Sequence, residues 1–184
     1  MPPFNWRGQT LQAHLRPREI AVLGTLAGEF VQLIDPLRTT GQDTMADLML
    51  ADEDAPQPHD PALRRLFPNA YRDDEAASRE FRRYTQTDQA AAKVAAAEAV
   101  IRDLAGADDG WVAIAPDDTG AWLTTLTNLR LVLAARLGIE KEADAEALAG
   151  ISPRDDRAPT AAVFDWCGWL LESLIDAIDG MIDV

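Results

Sequence analysis

Cysteine is almost missing from this chain. One thiol, Cys167, stands among 184 residues, so no intrachain disulfide can form and the core has to hold the fold. Such usage suits a reducing cytoplasm. Histidine is nearly as scarce. His14 falls on an expected strand and His59 in a loop, which leaves serine, threonine and cysteine nucleophiles without a base beside them. No G-x-S-x-G elbow, G-x-x-x-x-G-K phosphate loop or G-x-G-x-x-G fingerprint occurs. Zinc would want His/Cys clusters, and none is legible; the acidic pairs Asp108-Asp109, Asp117-Asp118 and Asp155-Asp156 lack the D-x-D-x-D-G pattern of a calcium loop. The expectation is a protein with no catalytic residue, no metal and no cofactor. Long apolar runs are lacking as well. "MPPFNWRGQ" is not a signal peptide, and the nearest candidate span, 158–178, is broken by Asp165, Glu172 and Asp176. A soluble, cytoplasmic protein with no membrane attachment is expected.

What the chain has in excess is acid. Net charge is −14, with −4 on residues 1–92 and −10 on residues 93–184. That surface repels phosphate backbones and counts against nucleic acid as a partner. Cations are fifteen arginines against two lysines, a composition that a high-GC genome explains. The length suits one ordinary domain, and 47% hydrophobic residues can build its core without a staple.

Periodicity gives the organisation. Phe4 and Trp6 alternate with polar residues, Gly8 turns the chain, and Leu11, Ala13 and Leu15 resume the alternation: a hairpin. Pro17 and Glu19 open a helix whose stripe is Leu23, Leu26, Ala27, Phe30, Leu33, Ile34 and Leu37, with Pro36 ending or kinking it. Gly24 and Gly28 within it read as close-packing positions. A short helix is expected near 44–50, then an acidic, proline-rich loop. Asp60-Pro61 caps a helix that stops at Pro68. Asp73 caps the next helix, and Ala77, Phe81 and Tyr84 form its inward face. Thr85-x-x-Asp88 has capping-box spacing and predicts a kink or restart before a long alanine-rich helix to about Leu104. Trp111 to Ala115 alternates like a strand. The Pro116-Asp117-Asp118 turn then starts a helix striped with Trp122, Leu126, Leu129, Leu133 and Leu137 and closed by Gly138. The order strand, proline, helix occurs twice, a weak repeat that chance leucine spacing also produces. Residues 140–158 read as a loop with a short helical piece. The last helix turns Val163, Trp166, Trp169/Leu170, Leu174 and Ile178 inward. Its apolar girth makes it central or an interface, which leaves a homodimer open. Cys167, between two tryptophans, reads as structural.

Two groups of arginines stand out. Residues 63–83 hold six arginines against four acids, a locally positive stretch of an acidic chain. Glu75 before Arg79 and Glu80 before Arg83 have helical ion-pair spacing, worth about 0.2–0.5 kcal/mol each. Arg72 and Arg82 lack such neighbours. A solvated scaffold face is the bland reading; the functional one is a partner-binding patch of Arg72, Arg79, Arg82 and Arg83. The second group, Arg130 and Arg136, decorates an apolar helix, where a guanidinium is costly unless paired. A pair of one of them with Asp165 or Glu172 would pin the two last long helices together; an anion pocket is the alternative.

Three stretches, "LFPNAYRDDEAASREFRRYTQTD", "NLRLVLAARLG" and "FDWCGWLLESL", are similar to those of an actinobacterial family of unknown function. The matching positions are Pro68, Tyr71, Glu80 to Arg83, Asn128 to Arg130, Arg136 to Gly138 and Asp165-Trp166, with Phe67 where leucine is usual. The resemblance covers nearly the whole chain. It implies a cytoplasmic bacterial protein without established activity, in a family often encoded beside the Clp protease adaptor and a metalloprotease of sulfur-carrier metabolism. Some members are described as transcriptional regulators.

The expected fold is therefore mainly α: a single-domain bundle of six or seven helices over residues 1–184. A small antiparallel sheet should form from the hairpin and a strand near 111–115. The expected function is a non-catalytic protein-interaction or regulatory module with a protein partner, accessory to proteolysis in one form. A transcriptional regulator touching DNA through the arginine patch is the runner-up, and an enzyme of unrecognised type comes third.

Overall fold

The structure, a computed structural model, describes residues 3–38, 58–71 and 73–182. The helix expected near 44–50, most of the acidic loop after it and Arg72 lie outside the described residues.

The hairpin forms as read. Strand β1 (Phe4–Arg7) pairs antiparallel with β2 (Thr10–His14) across Gly8, whose φ of 62° only glycine adopts freely. The third strand, β3 (Trp111–Ile114), pairs antiparallel with the other edge of β2, Leu11 opposite Ile114 and Ala13 opposite Val112. One face of this sheet, Phe4, Leu11, Ala13, Val112 and Ile114, is buried. The third strand thus shelters a hairpin that two strands alone would leave marginal. β1 is tied to the C-terminal helix as well: the Trp6 indole N–H donates to the Ala177 carbonyl at 2.7 Å, and the Phe4 ring meets Trp122 edge-on at 5.7 Å.

Among the described residues there are six α-helices. Pro17 opens α1 (Pro17–Ile34), and the Glu19 carboxylate accepts from the Arg16 amide at 2.7 Å. A 3-10 turn (Asp35–Leu37) around Pro36 ends it. Helix α1 with this turn is long and apolar enough to cross a membrane by length and composition, but its Leu23, Ala27, Phe30 and Ile34 face is buried in the protein. Asp60 caps α2 (Pro61–Leu66), accepting from the Ala62 amide at 2.7 Å. Helix α3 (Glu75–Ala105) runs unbroken for 31 residues. The restart expected at Thr85 does not occur: the Thr85 hydroxyl donates back to the Phe81 carbonyl at 2.9 Å instead of capping a new turn. Its N-cap is Asp74 rather than Asp73, with the carboxylate accepting from the Ala77 amide at 2.9 Å. A 3-10 turn at Pro116–Asp118 leads into α4 (Thr119–Leu137), which Gly138 stops at φ 72°. Helices α5 (Glu142–Ala149) and α6 (Ala158–Ile182) complete the chain.

Helix α4 lies at the middle, touching α1, α2, α3 and α6. Around its fully buried Trp122 and Leu126 the core gathers Phe4, Leu11, Leu23, Leu66, Val94, Ile114 and Leu170, one from each other strand and α-helix except α5. A smaller cluster of Leu137, Ile139 and Ala161 seats α5. On α6, Leu170 and Leu174 are buried as expected, whereas Trp166 is half-buried and Trp169 exposed.

Candidate functional site

The start of α3 faces the opposite way from the amphipathic reading. Its buried stripe begins with Ser78 and Arg82 before it reaches Ala90, Val94 and Ala97. Arg82 is 3% exposed. Its guanidinium donates to Glu75 Oε1 at 2.8 Å and to Asn69 Oδ1, and the Asn69 amide donates to Glu75 Oε2 at 3.1 Å. The hydrogen bond to Arg82 holds the Glu75 carboxyl below its ordinary range. Ser78 Oγ accepts from the Tyr71 amide at 3.1 Å and donates to the Tyr71 carbonyl at 2.7 Å. These bonds lash the segment after α2 onto the first two turns of α3. Polar loop backbone has to be satisfied there, so polar side chains take the inward positions. Arg82, read as loose, is therefore a structural clamp with partners of its own.

The turn of the helix that puts Ser78 and Arg82 inside puts the aromatics outside. Tyr71 is 51%, Phe81 40% and Tyr84 64% exposed, so Phe81 and Tyr84 are not core residues. Tyr71 and Phe81 meet edge to face with centroids 6.5 Å apart, and the Arg83 guanidinium lies 5.1 Å from the Tyr84 ring centroid. Arg79 and Arg83 are exposed on the same turns. The result is an arginine–aromatic surface. Sequence periodicity placed Phe81 and Tyr84 on one face correctly and could not say which side of the helix lay against protein.

Beside Phe81 a pocket of about 200 Å³ is lined by Phe67, Pro68, Asn69, Arg82, Gln86 and Gln89, among others. Gln89 also borders an open groove of about 660 Å³ between α3 and α4, floored by alanines and edged by Lys93 and Arg102. Lys93 is half-buried; its ammonium donates to Asn128 Oδ1 at 3.2 Å and lies 5.8 Å from the Phe67 ring centroid. Burial lowers its pKa.

The second arginine group pairs otherwise than expected. Arg136 grips Asp60 with both terminal nitrogens, at 3.1 and 2.8 Å, and so fastens α4 to the cap of α2. The Arg136 hydrogen bond lowers the Asp60 pKa. Arg65 adds a bond to the Ile139 carbonyl. Arg130 lies with its guanidinium carbon 4.9 Å from the Phe164 centroid, against the open backbone of Gly168. Neither arginine pairs with Asp165 or Glu172, because both carboxylates point to solvent on α6. The two arginines still join helices, Arg136 through a capping aspartate and Arg130 through an aromatic ring. Cys167 is buried, and desolvation pushes its thiol up to about 11. Among the described residues no three or more His, Cys, Asp or Glu side chains converge as a metal site would need.

A helical bundle centred on α4, with a three-stranded sheet against one end and an arginine–aromatic surface at the start of α3, is the class of molecule this is. The chain belongs to the family described as a domain of unknown function, DUF2017, which it matches over residues 1–178. It is similar to the oxidative stress regulator AosR of Mycobacterium tuberculosis and of Mycobacterium bovis, 28% identical over 188 residues that span 94% of this chain and 84% of those proteins. No solved structure matches it.

Proposed function

We propose that this protein is a non-catalytic regulatory module that acts by binding another protein through the surface of Tyr71, Phe81, Tyr84, Arg79 and Arg83. The observation that carries this reading is the joint exposure of three large rings in and beside a locally positive stretch of a chain with net charge −14. Tyrosine, phenylalanine and arginine are the residues that protein interfaces concentrate, while charged residues of other kinds are depleted from their centres. The description of the mycobacterial relatives as oxidative stress regulators supports a regulatory role. An accessory role in proteolysis, in the cytoplasm, is the form that the resemblance to a family encoded beside the Clp adaptor favours. If oxidative stress is the signal, an intrachain disulfide is not the sensor in these 184 residues. Cys167 stands alone, buried and poorly ionised.

The test is affinity capture from native lysate, with nucleic acid digested and quantified, using the wild-type chain and a Tyr84→Ser/Arg83→Glu variant of unchanged circular dichroism. A protein partner held by the first and lost by the second is the expected result. Recovery of DNA with no protein, and with affinity falling steeply in salt, would reverse the reading in favour of a DNA-contacting regulator.

A further inference from the structure

We propose that the pocket beside Phe81 anchors a single aromatic side chain of the partner, a tryptophan or tyrosine, carried on an acidic segment. This rests on the reading of the surrounding surface as a partner interface and adds the partner's chemistry. The pocket, about 200 Å³, is below the usual range of small-molecule sites and matches one large side chain. Phe67, Pro68 and Phe81 supply apolar walls for a ring. The polar groups on its lining are mostly engaged already. Arg82 and Asn69 bond to Glu75 and to each other, and the Thr85 hydroxyl bonds to the Phe81 carbonyl. Gln86 Oε1 is the exception: it is buried and accepts from no donor among the described residues. A ring in the pocket that brings its own N–H or O–H, as indole and phenol do and phenylalanine does not, supplies that donor once the Gln86 side chain turns its carbonyl toward it.

Charge sets the flanks. Arg79 and Arg83 are exposed on the turns of α3 that carry Phe81 and Arg82. Lys93 lies over the ring of Phe67, another residue of the pocket lining, with a neutral amide as its hydrogen-bond partner and no carboxylate in pairing distance among the described residues. A half-buried ammonium with only neutral neighbours is an incomplete pair, and an acid from the partner completes it. The segment that fits has an aromatic donor with carboxylates before and after it.

Random linear peptides displayed on phage and selected against the full chain test this directly. Enriched peptides should carry tryptophan or tyrosine between acidic residues. Changing that tryptophan to phenylalanine should weaken binding roughly three- to tenfold on the wild type, the worth of one hydrogen bond, and change nothing on Gln86→Leu. Lys93→Met should abolish the preference for acid on one side of the ring, and Arg83→Glu on the other. Enrichment without an aromatic donor, an equal phenylalanine penalty on Gln86→Leu, or no enrichment at all overturns the proposal. So does a concentration-dependent dimer that Phe81→Ser dissolves, which would make the occupant a second copy. Native capture that Tyr84→Ser abolishes and Gln86→Leu and Lys93→Met leave intact would sink the anchor and spare the surface. The reverse pattern, peptides behaving as expected while capture ignores Tyr84→Ser, would sink the surface's function and spare the pocket.

Discussion

A buried arginine has to bring its partners with it, and Arg82 does. Its charge is met by Glu75, which remains half in water, so part of the pair's strength is screened. Replacing Arg82 by methionine keeps the bulk and removes the clamp. The expected cost is about 1–2 kcal/mol by urea unfolding, below that of a fully buried pair because Glu75 can solvate. Amide exchange at Tyr71 should quicken at the same time, since Arg82 holds Asn69, two residues before it in the same loop. Arg82→Glu is thus a folding variant, and grip is better probed at Arg83 and Tyr84. Cys167 makes a second prediction at this scale. With its thiol buried and pushed to about 11, it should resist alkylation at pH 8 in the native protein and react at the rate the core opens. Fast labelling of the folded chain would contradict the buried placement.

Between elements, two joints decide geometry. The turn before β3 places Asp109 at φ 44° and Gly110 at φ 80°, the mirror-image turn that suits a two-residue hairpin. A Cβ on Gly110 would come within 2.7 Å of the Leu15 carbonyl, just where the Leu15 amide donates to the Gly110 carbonyl at 2.9 Å. Gly110→Ala should cost at least about 1–2 kcal/mol through positive φ and this contact together, read as a fall in thermal midpoint. The other joint is Asp60 with Arg136. The folded state lowers the Asp60 pKa, so its contribution is complete above the unfolded carboxyl value, near 4, and disappears as pH falls through the lower folded value. The stability gap between wild type and Asp60→Asn should stay constant from about pH 7 to pH 5 and close on further acidification. A gap that widened in acid would show the pair unformed.

At the scale of the whole molecule, α4 is the common neighbour of α1, α2, α3 and α6, and the sheet reaches it through Phe4 on Trp122. Among the described residues every α-helix but α5 contributes to that one core. Unfolding should therefore be one cooperative transition, with helical circular dichroism and tryptophan fluorescence giving coincident curves. A separate early loss of helix signal would divide the chain. The same arrangement explains why the α3 surface departs from the face its periodicity predicts. Phe81 and Tyr84 obey helical spacing, but spacing is silent about which face meets protein. The polar loop after α2 took the inward side and sent the rings outward.

The linear order of residues by itself determined the hairpin at Gly8, the proline starts of α1 and α2, the stop at Gly138 and the stripe of α4, because turns, caps and periodicity are local. It also pointed to a buried Cys167, since tryptophans and leucines flank it within one helix. Only the tertiary structure decided that Arg136 would meet Asp60, 76 residues away, and that Arg130 would lie on Phe164. Only the tertiary structure decided that Arg82 would be buried and Tyr84 exposed. Those outcomes depend on how helices dock, and docking is settled by the summed burial of many side chains rather than by any one of them.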